Sequence, residues 1–321
     1  MTNDDPLEST LRGIAGARLQ AFRASADGSA AVVIDAEGLA EADRAALETA
    51  LQAAAREAGA GPLRVAMNAA RRRRRIVVVG SGKGGVGKST LSANIAVALQ
   101  RQGRATGLVD ADIHGPSQAR LFATEDRRPE AKGNKLIPVM SRYGVPLLSM
   151  AHLVKSGQPI AWRGPMAGNA LGQLIDAEWG AVETLIVDLP PGTGDVQLTM
   201  LQKYKPAGAV IVSTPQDLAL IDARRAIGLF EQGSVPLIGM VENMAGYLCP
   251  HCGQGSDPFG SGGAEIAAAE AGMAFLGRIP LALAIREGSD AGLPPAAGEG
   301  ILADAYGAIA AQIGRWLDNH G

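Results

Sequence analysis

Residues 82–89 read Gly-Lys-Gly-Gly-Val-Gly-Lys-Ser, and Thr90 follows. Gly82, Gly87, Lys88 and Ser89 hold the fixed places of the G-x-x-x-x-G-K-[ST] phosphate loop. Gly82, Gly84, Gly85 and Gly87, broken only by Lys83 and Val86, let main-chain N–H groups converge on phosphate oxygens. A helix starting near Lys88 adds the positive end of its dipole. Lys88 is suited to the β- and γ-phosphates, the Ser89 hydroxyl to Mg²⁺, and Thr90 to a phosphate oxygen nearer the ribose. Lys83 is a second lysine at the loop entrance and invites a different task; its plain alternative is a solvated surface lysine.

Three apolar runs end in residues that could complete this chemistry. Asp110 closes the first, within Gly-Leu-Val-Asp-Ala-Asp, and Asp112 follows it by two. One such carboxylate can orient an attacking water and the other can hold a metal's water shell. Asp188 closes Leu-Ile-Val-Asp, the pattern of a Walker B acid and the usual Mg²⁺ partner. The Pro-Pro-Gly-Thr-Gly after it reads as a switch loop near the γ-phosphate. Asn243, in Met-Val-Glu-Asn-Met, offers an amide suited to an adenine edge. The plain alternative for each is a loop residue capping the next helix.

Both cysteines of the chain, Cys249 and Cys252, stand in Leu-Cys-Pro-His-Cys-Gly. Two thiolates at this spacing supply half of a Cys₄ set, and a two-fold dimer would supply the rest. The residues alone leave four readings open. These are an iron–sulfur site, a zinc staple between subunits, a dithiol–disulfide centre, and a bland exposed pair. A redox pair of this kind belongs at a helix N-terminus, whereas the Gly/Ser/Asp/Pro stretch here predicts a surface loop. His251 reads as a spacer, and His114, His152 and His320 are isolated.

The elements that must position these residues follow from periodicity. From residue 75 the pattern alternates strand and helix, the mark of a parallel α/β sheet. Strands are predicted at 75–80, 105–110, 183–188, 207–213, 236–242 and 274–279. A hairpin is predicted near 134–150, with turns at Gly133-Asn134 and Tyr143-Gly144. A final helix over 301–317 carries Ile301, Leu302, Tyr306, Ile309, Ile313 and Trp316 on its apolar stripe. Residues 1–70 form a separate small α/β module. Strands are predicted at 30–35 and 62–67, and a helix at 40–59 with Ala46, Leu47, Leu51 and Ala54 on one face. Five arginines, 71–75, join the two parts and read as a solvated linker.

The 321 residues suffice for one large domain with a small one, and 47% of them are apolar. A net charge of −2 argues against bulk nucleic-acid binding. No apolar run is long enough to span a membrane, and the acidic start lacks a signal peptide's character, so the expected location is cytoplasmic.

The Lys-Gly-Gly-x-Gly-Lys-Ser core resembles the deviant Walker A group of NTPases. That resemblance implies that Lys83 crosses a dimer interface to the partner's nucleotide, like an arginine finger supplied in trans. Over residues 75–300 the chain further resembles the Mrp/ApbC family of iron–sulfur cluster carrier ATPases, within the MinD-like superfamily. The matching stretches are 80–90, 109–117, 162–166, 187–195, 213–216, 242–253, 259–265 and 276–281. The resemblance implies a P-loop NTPase fold, with a mostly parallel sheet flanked by helices, over 71–321. It implies a homodimer that binds and slowly hydrolyses ATP with Mg²⁺. It also implies a [4Fe-4S] cluster bridged by Cys249 and Cys252 of two copies and transferred to apo-proteins. Gly82 to Thr90 would bind ATP, and Lys83, Lys88, Asp110 and Asp188 would support hydrolysis. Partners would be apo iron–sulfur proteins and cluster scaffold proteins, not nucleic acid or membrane. Residues 1–70 resemble a degenerate form of the iron–sulfur assembly domain often fused there, without its Asp-Pro-Glu motif and without cysteine. The rivals are a positioning or partitioning ATPase with a zinc at the Cys pair, and a reductase of the nitrogenase iron-protein type.

Overall fold

The computed structural model describes residues 5–320 apart from 26, 37, 38, 40, 69–73, 114, 154–164 and 250. Arg71 to Arg73, His114 and the first three residues of the 162–166 stretch therefore lie outside the described residues. The chain divides into two compact units, Met1–Arg73 and Arg74–Gly321.

In the first unit, helices α1 (Pro6–Ala15) and α2 (Glu41–Glu57) accompany strands β1 (Leu19–Ala24), β2 (Ala30–Asp35) and β3 (Leu63–Asn68). The strands form one sheet in the order β1-β2-β3, β2 antiparallel to β1 and parallel to β3. Leu11, Leu19, Val32, Ile34 and Leu51 form its small core. The sequence reading missed α1 and β1. The signal for α1 was present: Asp5 caps it by accepting the Leu7 N–H at 2.9 Å, and Pro6 sits in its first turn. On α2 the buried residues are Leu51 and Ala55, while Ala46 is exposed. Ala46 stands one helical step, about 100°, from Leu47 and so falls off the stripe.

The second unit begins with β4 (Arg75–Gly80), α3 (Lys88–Arg101), β5 (Thr106–Asp110) and α4 (Gln118–Leu121). Two short hairpins follow, β6 (Glu130–Lys132) with β7 (Lys135–Ile137), and β8 (Val139–Met140) with β9 (Pro146–Ser149). Both predicted turns are present, but each serves its own hairpin, so the single hairpin expected at 134–150 is corrected to two. Next come α5 (Met150–Leu153), α6 (Pro165–Ile175), β10 (Thr184–Asp188), α7 (Asp195–Thr199), β11 (Gly208–Ser213) and α8 (Asp217–Gln232). The unit ends with β12 (Leu237–Leu248), β13 (Gly255–Ser256), α9 (Gly263–Glu270), β14 (Phe275–Leu281), α10 (Leu283–Asp290) and α11 (Ile301–Asn319).

One sheet runs β13-β12-β11-β4-β10-β5-β9-β8, with β14 also paired to β12. It is parallel except where β8 and β13 turn back at its ends. The α/β architecture expected from the alternating pattern is therefore present. Strand β4 alternates within it: Ile76 and Val78 face one core, Val77 and Val79 the other. The first core holds Leu171 and Leu174 of α6 with Ile227 and Phe230 of α8; the second holds Leu91, Ile95 and Leu99 of α3 with Tyr306, Ile309 and Ile313 of α11. Burial on both faces explains why these strands read as continuous apolar runs. Ile301, assigned to the apolar stripe of α11, is 84% exposed. It opens the helix, and helical side chains lean toward the N-terminus, which carries it past the core.

Candidate functional site

The register of the central strands builds the site. β10 lies between β4 and β5, and Asp188 is paired with both Val79 and Asp110. The loop leaving β4 and the two carboxylates therefore meet at one carboxyl edge, where open α/β sheets bind ligands. The loop 81–87 closes onto α3, whose first residue is Lys88 and whose cap, Gly87, has φ +86°. That left-handed conformation suits glycine. Space demands glycine too: a Cβ on Gly87 would lie 2.0 Å from Asn243 Nδ2, and one on Gly82 would lie 1.9 Å from the Asp222 carbonyl oxygen of α8.

A cavity of about 310 Å³ opens above this loop, a size at the small end of ligand pockets. Its lining includes Lys83 through Thr90, together with Asp112, Gly115 and Pro191. Lys83, Gly84 and Gly85 are exposed, while Lys88 is buried. The loop after β10 reaches back to the phosphate loop, where the Gly192 N–H donates to the Ser81 carbonyl at 3.2 Å. Gln197 of α7 steadies that loop by donating to the carbonyls of Pro190 at 2.7 Å and Gly192 at 3.0 Å.

Asp188 is fully buried, and both of its oxygens accept hydrogen bonds. Lys88 Nζ lies 2.7 Å and Ser92 Oγ 3.2 Å from Oδ1, and Gln118 Nε2 lies 2.9 Å from Oδ2. Desolvating a buried ion pair is costly, and these added donors help offset it. Asp110, equally buried, accepts from the N–H of Asp112 at 3.2 Å, the N–H of Gln118 at 2.9 Å and the Ser149 hydroxyl at 2.8 Å. Burial first, then the neighbouring Asp188 charge, push its carboxyl up to about 7. Those three hydrogen bonds resist the shift without cancelling it. Asp112 lines the cavity and accepts the Gly115 N–H at 3.2 Å.

Asn243, expected at an adenine edge, has a protein partner in this structure. It lies inside β12, which runs six residues past its predicted end, and its Nδ2 donates to the Val86 carbonyl at 2.8 Å. It braces the phosphate loop and does not line the cavity. Sequence reasoning also missed Gln118, Ser149, Ser92 and Glu242. Glu242 is buried at the end of β12's buried run and accepts from Gly262 N at 3.1 Å, Ala264 N at 2.9 Å and Arg278 Nε at 3.0 Å. Nothing in one sequence marks a buried polar residue as such; only the register brings Gln118, Ser149 and Ser92 to the two aspartates.

The cysteines follow just beyond the end of the same strand. β12 pairs antiparallel with β13, Leu248 opposite Gly255, so Cys249 and Cys252 sit in the hairpin tip. The Cys249 N–H donates to the Gln254 carbonyl at 3.0 Å, and the Gly253 N–H to the Cys249 carbonyl at 2.8 Å. Cys252 is exposed and Cys249 partly so, and both are free thiols. The N–H groups of Cys252 and His251 hold the Cys249 thiol below its usual range. Among the described residues no cluster of three or more His, Cys, Asp or Glu could hold a metal ion. The pair is therefore two free thiols in a hairpin tip, and neither belongs to a helix.

Residues 72–314 match the family described as NUBPL iron-transfer P-loop NTPases, of the ParA group. An iron–sulfur cluster carrier protein of Pseudomonas fragi is 46% identical over 246 residues, 75% of this chain and 86% of its own. A mitochondrial iron–sulfur protein of Arabidopsis thaliana, required for NADH dehydrogenase, is 48% identical over 221 residues, 68% of this chain and 70% of its own. Among solved structures, the nucleotide-binding protein of Archaeoglobus fulgidus in complex with ADP superposes with a TM-score of 0.61 at 38% identity, covering 69% of this chain and 87% of that one. The cell-division ATPase MinD of Pyrococcus furiosus, TM-score 0.58 at 23% identity over 76% of this chain and 99% of its own, shares the fold. The family model covers most of the chain, the phosphate loop and both strand-end aspartates included, and the chain belongs to the NUBPL iron-transfer P-loop NTPase family.

Proposed function

We propose that this protein binds and hydrolyses ATP and carries an iron–sulfur cluster, [4Fe-4S] in type, which it transfers to apo-proteins. The observation that carries the reading is the hairpin tip: two accessible thiols, one held toward thiolate, with no third ligand grouped beside them among the described residues. A cubane held by four thiolates needs two more, and a second copy related by a two-fold axis supplies them. The cluster is then cargo shared between two copies. The relatives named as iron–sulfur carriers support the same reading. Apo-proteins that accept a cluster and scaffold proteins that supply one are its partners on this reading.

The nucleotide reading rests on the cavity and its edge. Lys83 through Thr90 present main-chain N–H groups and two lysines to a polyphosphate. Lys88, which pairs with Asp188 here, would turn to the β- and γ-phosphates. The Ser89 hydroxyl and the Asp112 carboxylate line the cavity, and with the Asp188 carboxylate, which the Gln118 amide ties to the Ser89 carbonyl, they would offer an oxygen-only set suited to Mg²⁺. When bound, that ion would offset the charge developing on the phosphates. Asp112 at the cavity wall and Asp110 behind it would orient the attacking water. Lys83, exposed at the cavity, is free to serve a nucleotide in the partner copy.

The deciding experiment is iron and acid-labile sulfide per dimer after anaerobic reconstitution, beside the Cys249→Ala/Cys252→Ala double variant. About four of each in the parent, lost in the variant, is the expected result for one bridging Cys₄ cluster. Zinc in place of iron would favour a structural staple, and iron unchanged in the variant would remove the hairpin from the reading.

A further inference from the structure

The described residues hold three buried side-chain atoms without a hydrogen-bond partner: Gln118 Oε1, Gln197 Oε1 and Thr184 Oγ1. Gln118 stands among the residues of the proposed nucleotide site. It is fully buried, and it is the first residue of α4, where the segment after Asp110 turns into helix. Its main-chain N–H donates to Asp110 Oδ2 at 2.9 Å. Its side-chain Nε2 donates both to the Ser89 carbonyl at 2.9 Å and to Asp188 Oδ2 at 2.9 Å. Those two partners only accept: one is a peptide carbonyl, and the other a carboxylate 2.7 Å from the Lys88 ammonium. The NH₂ must therefore face them, and the orientation of the amide is fixed by its surroundings. The carbonyl Oε1 is left on the same planar group, buried and with nothing to accept.

A buried acceptor without a donor is unfavourable, and one that persists needs an account. The Ser89 hydroxyl and the Asp188 carboxylate are oxygens suited to a hydrated Mg²⁺, and the Gln118 amide holds the Ser89 main-chain carbonyl and the Asp188 carboxylate together. We propose that Gln118 is a positioning residue for the metal-bound nucleotide. Its NH₂ ties the phosphate loop at Ser89 to Asp188, and its Oε1 accepts a hydrogen from a water of the metal's shell. The inference rests on the nucleotide-binding reading above and assigns a residue that the phosphate-loop and strand-end motifs do not contain. One side chain then joins α4, β10 and the start of α3, so that metal binding and the position of the segment after Asp110 are read together.

The test is equilibrium binding of a fluorescent ADP analogue to the full chain, with Mg²⁺ and with EDTA. The readout is the ratio of the two Kd values, which involves no turnover. Gln118→Met keeps the bulk and removes donor and acceptor. It is expected to lower the gain from Mg²⁺ about tenfold, the usual scale for removing a partner of a metal's ligands. Its Kd in EDTA should move less than about threefold on the same reasoning. Gln118→Asn, which keeps the amide donor and acceptor on a shorter stem, is expected to retain part of the gain. An unchanged ratio in Gln118→Met overturns the assignment, as does an equal loss with and without Mg²⁺, which marks a merely structural role. If Gln118→Met does not fold, the Asn variant decides: a Mg²⁺ gain kept in part supports the amide and a gain wholly lost with the EDTA Kd unchanged from an equally stable control overturns it. A parent that binds no nucleotide overturns this inference together with the reading beneath it.

Discussion

Asp110 and His152 carry opposite pH dependences, and Ser149 links them. Ser149 donates its hydroxyl to Asp110 at 2.8 Å, and its N–H donates to His152 Nδ1 at 3.3 Å. The other ring nitrogen, Nε2, lies 3.3 Å from Thr124 Oγ1. Burial, aided by Arg128 and Arg127, pushes His152 down to about 4 from its ordinary 6.5, while Asp110 is pushed up from 3.8 to about 7. Between these limits the folded chain keeps the Asp110 proton that the unfolded chain has released, so this carboxyl makes stability fall as pH rises from about 4 to about 7. His152 stays neutral where the unfolded chain is protonated, so it makes stability rise from about pH 4 to about 6.5. The two slopes oppose each other in the parent. Asp110→Asn should leave stability rising with pH across that range, and His152→Gln should leave it falling. Urea midpoints measured across the range check this, and identical profiles in the parent and both variants would sink the idea.

At the scale of elements, the phosphate loop and α8 touch through backbone. A Cβ at Gly82 would collide with the Asp222 carbonyl oxygen at 1.9 Å, whereas one at Gly84 meets only Pro191 Cγ at 3.9 Å. Backbone on both sides cannot yield as a side-chain tip can. Gly82→Ala is expected to destabilise the protein by about 3 kcal/mol or more and to lose nucleotide binding, the scale of a severe overpacking clash. Gly84→Ala should keep the parent's unfolding midpoint within roughly 0.5 kcal/mol, as surface substitutions do. Chemical denaturation of the pair separates them, and equal midpoints would contradict the steric account. Strand β12 is the other element of consequence. It braces Val86 through Asn243 and, six residues on, presents Cys249. Between them Met244 has φ +60° and Gly246 φ +75°, and the register with β14 shifts. The strand thus leaves its regular pairing just after the phosphate-loop brace and before the thiol hairpin.

For the whole molecule, the two units have separate cores, one built on Leu11, Val32, Ile34 and Leu51, the other on the nine-stranded sheet. The nucleotide cavity and the cysteine hairpin both belong to Arg74–Gly321. A chain starting at Arg74 is therefore expected to fold and to take up iron and nucleotide as the full chain does, within about twofold by the independence of separate cores. Reconstituted iron content and ADP affinity of the fragment against the full chain check this; loss of either would give residues 1–73 a part in the site. Among the described residues no helix is long and apolar enough to cross a membrane.

The phosphate loop, the two aspartates that end apolar runs and the Cys-x-x-Cys pair were legible from spacing alone. They rest on local rules: glycine's freedom near phosphate, a strand's period, the reach of two thiols. The alternating strands and helices were legible for the same reason, since burial on both faces leaves an apolar run in the chain itself. Contact between distant segments was not legible. That Asp188 and Asp110 are neighbours follows from β10 lying between β4 and β5. That Gln118 bridges Ser89 and Asp188, that Asn243 braces Val86, and that Glu242 is buried under Arg278 follow from the same register. The apolar stripe of α11 failed at Ile301 because periodicity assigns a face but not where the core beneath it stops. Local patterns determine which elements form and which residues could do chemistry. Which polar groups satisfy one another in the dark between strands is a property of their order in the sheet, and only the tertiary structure decides it.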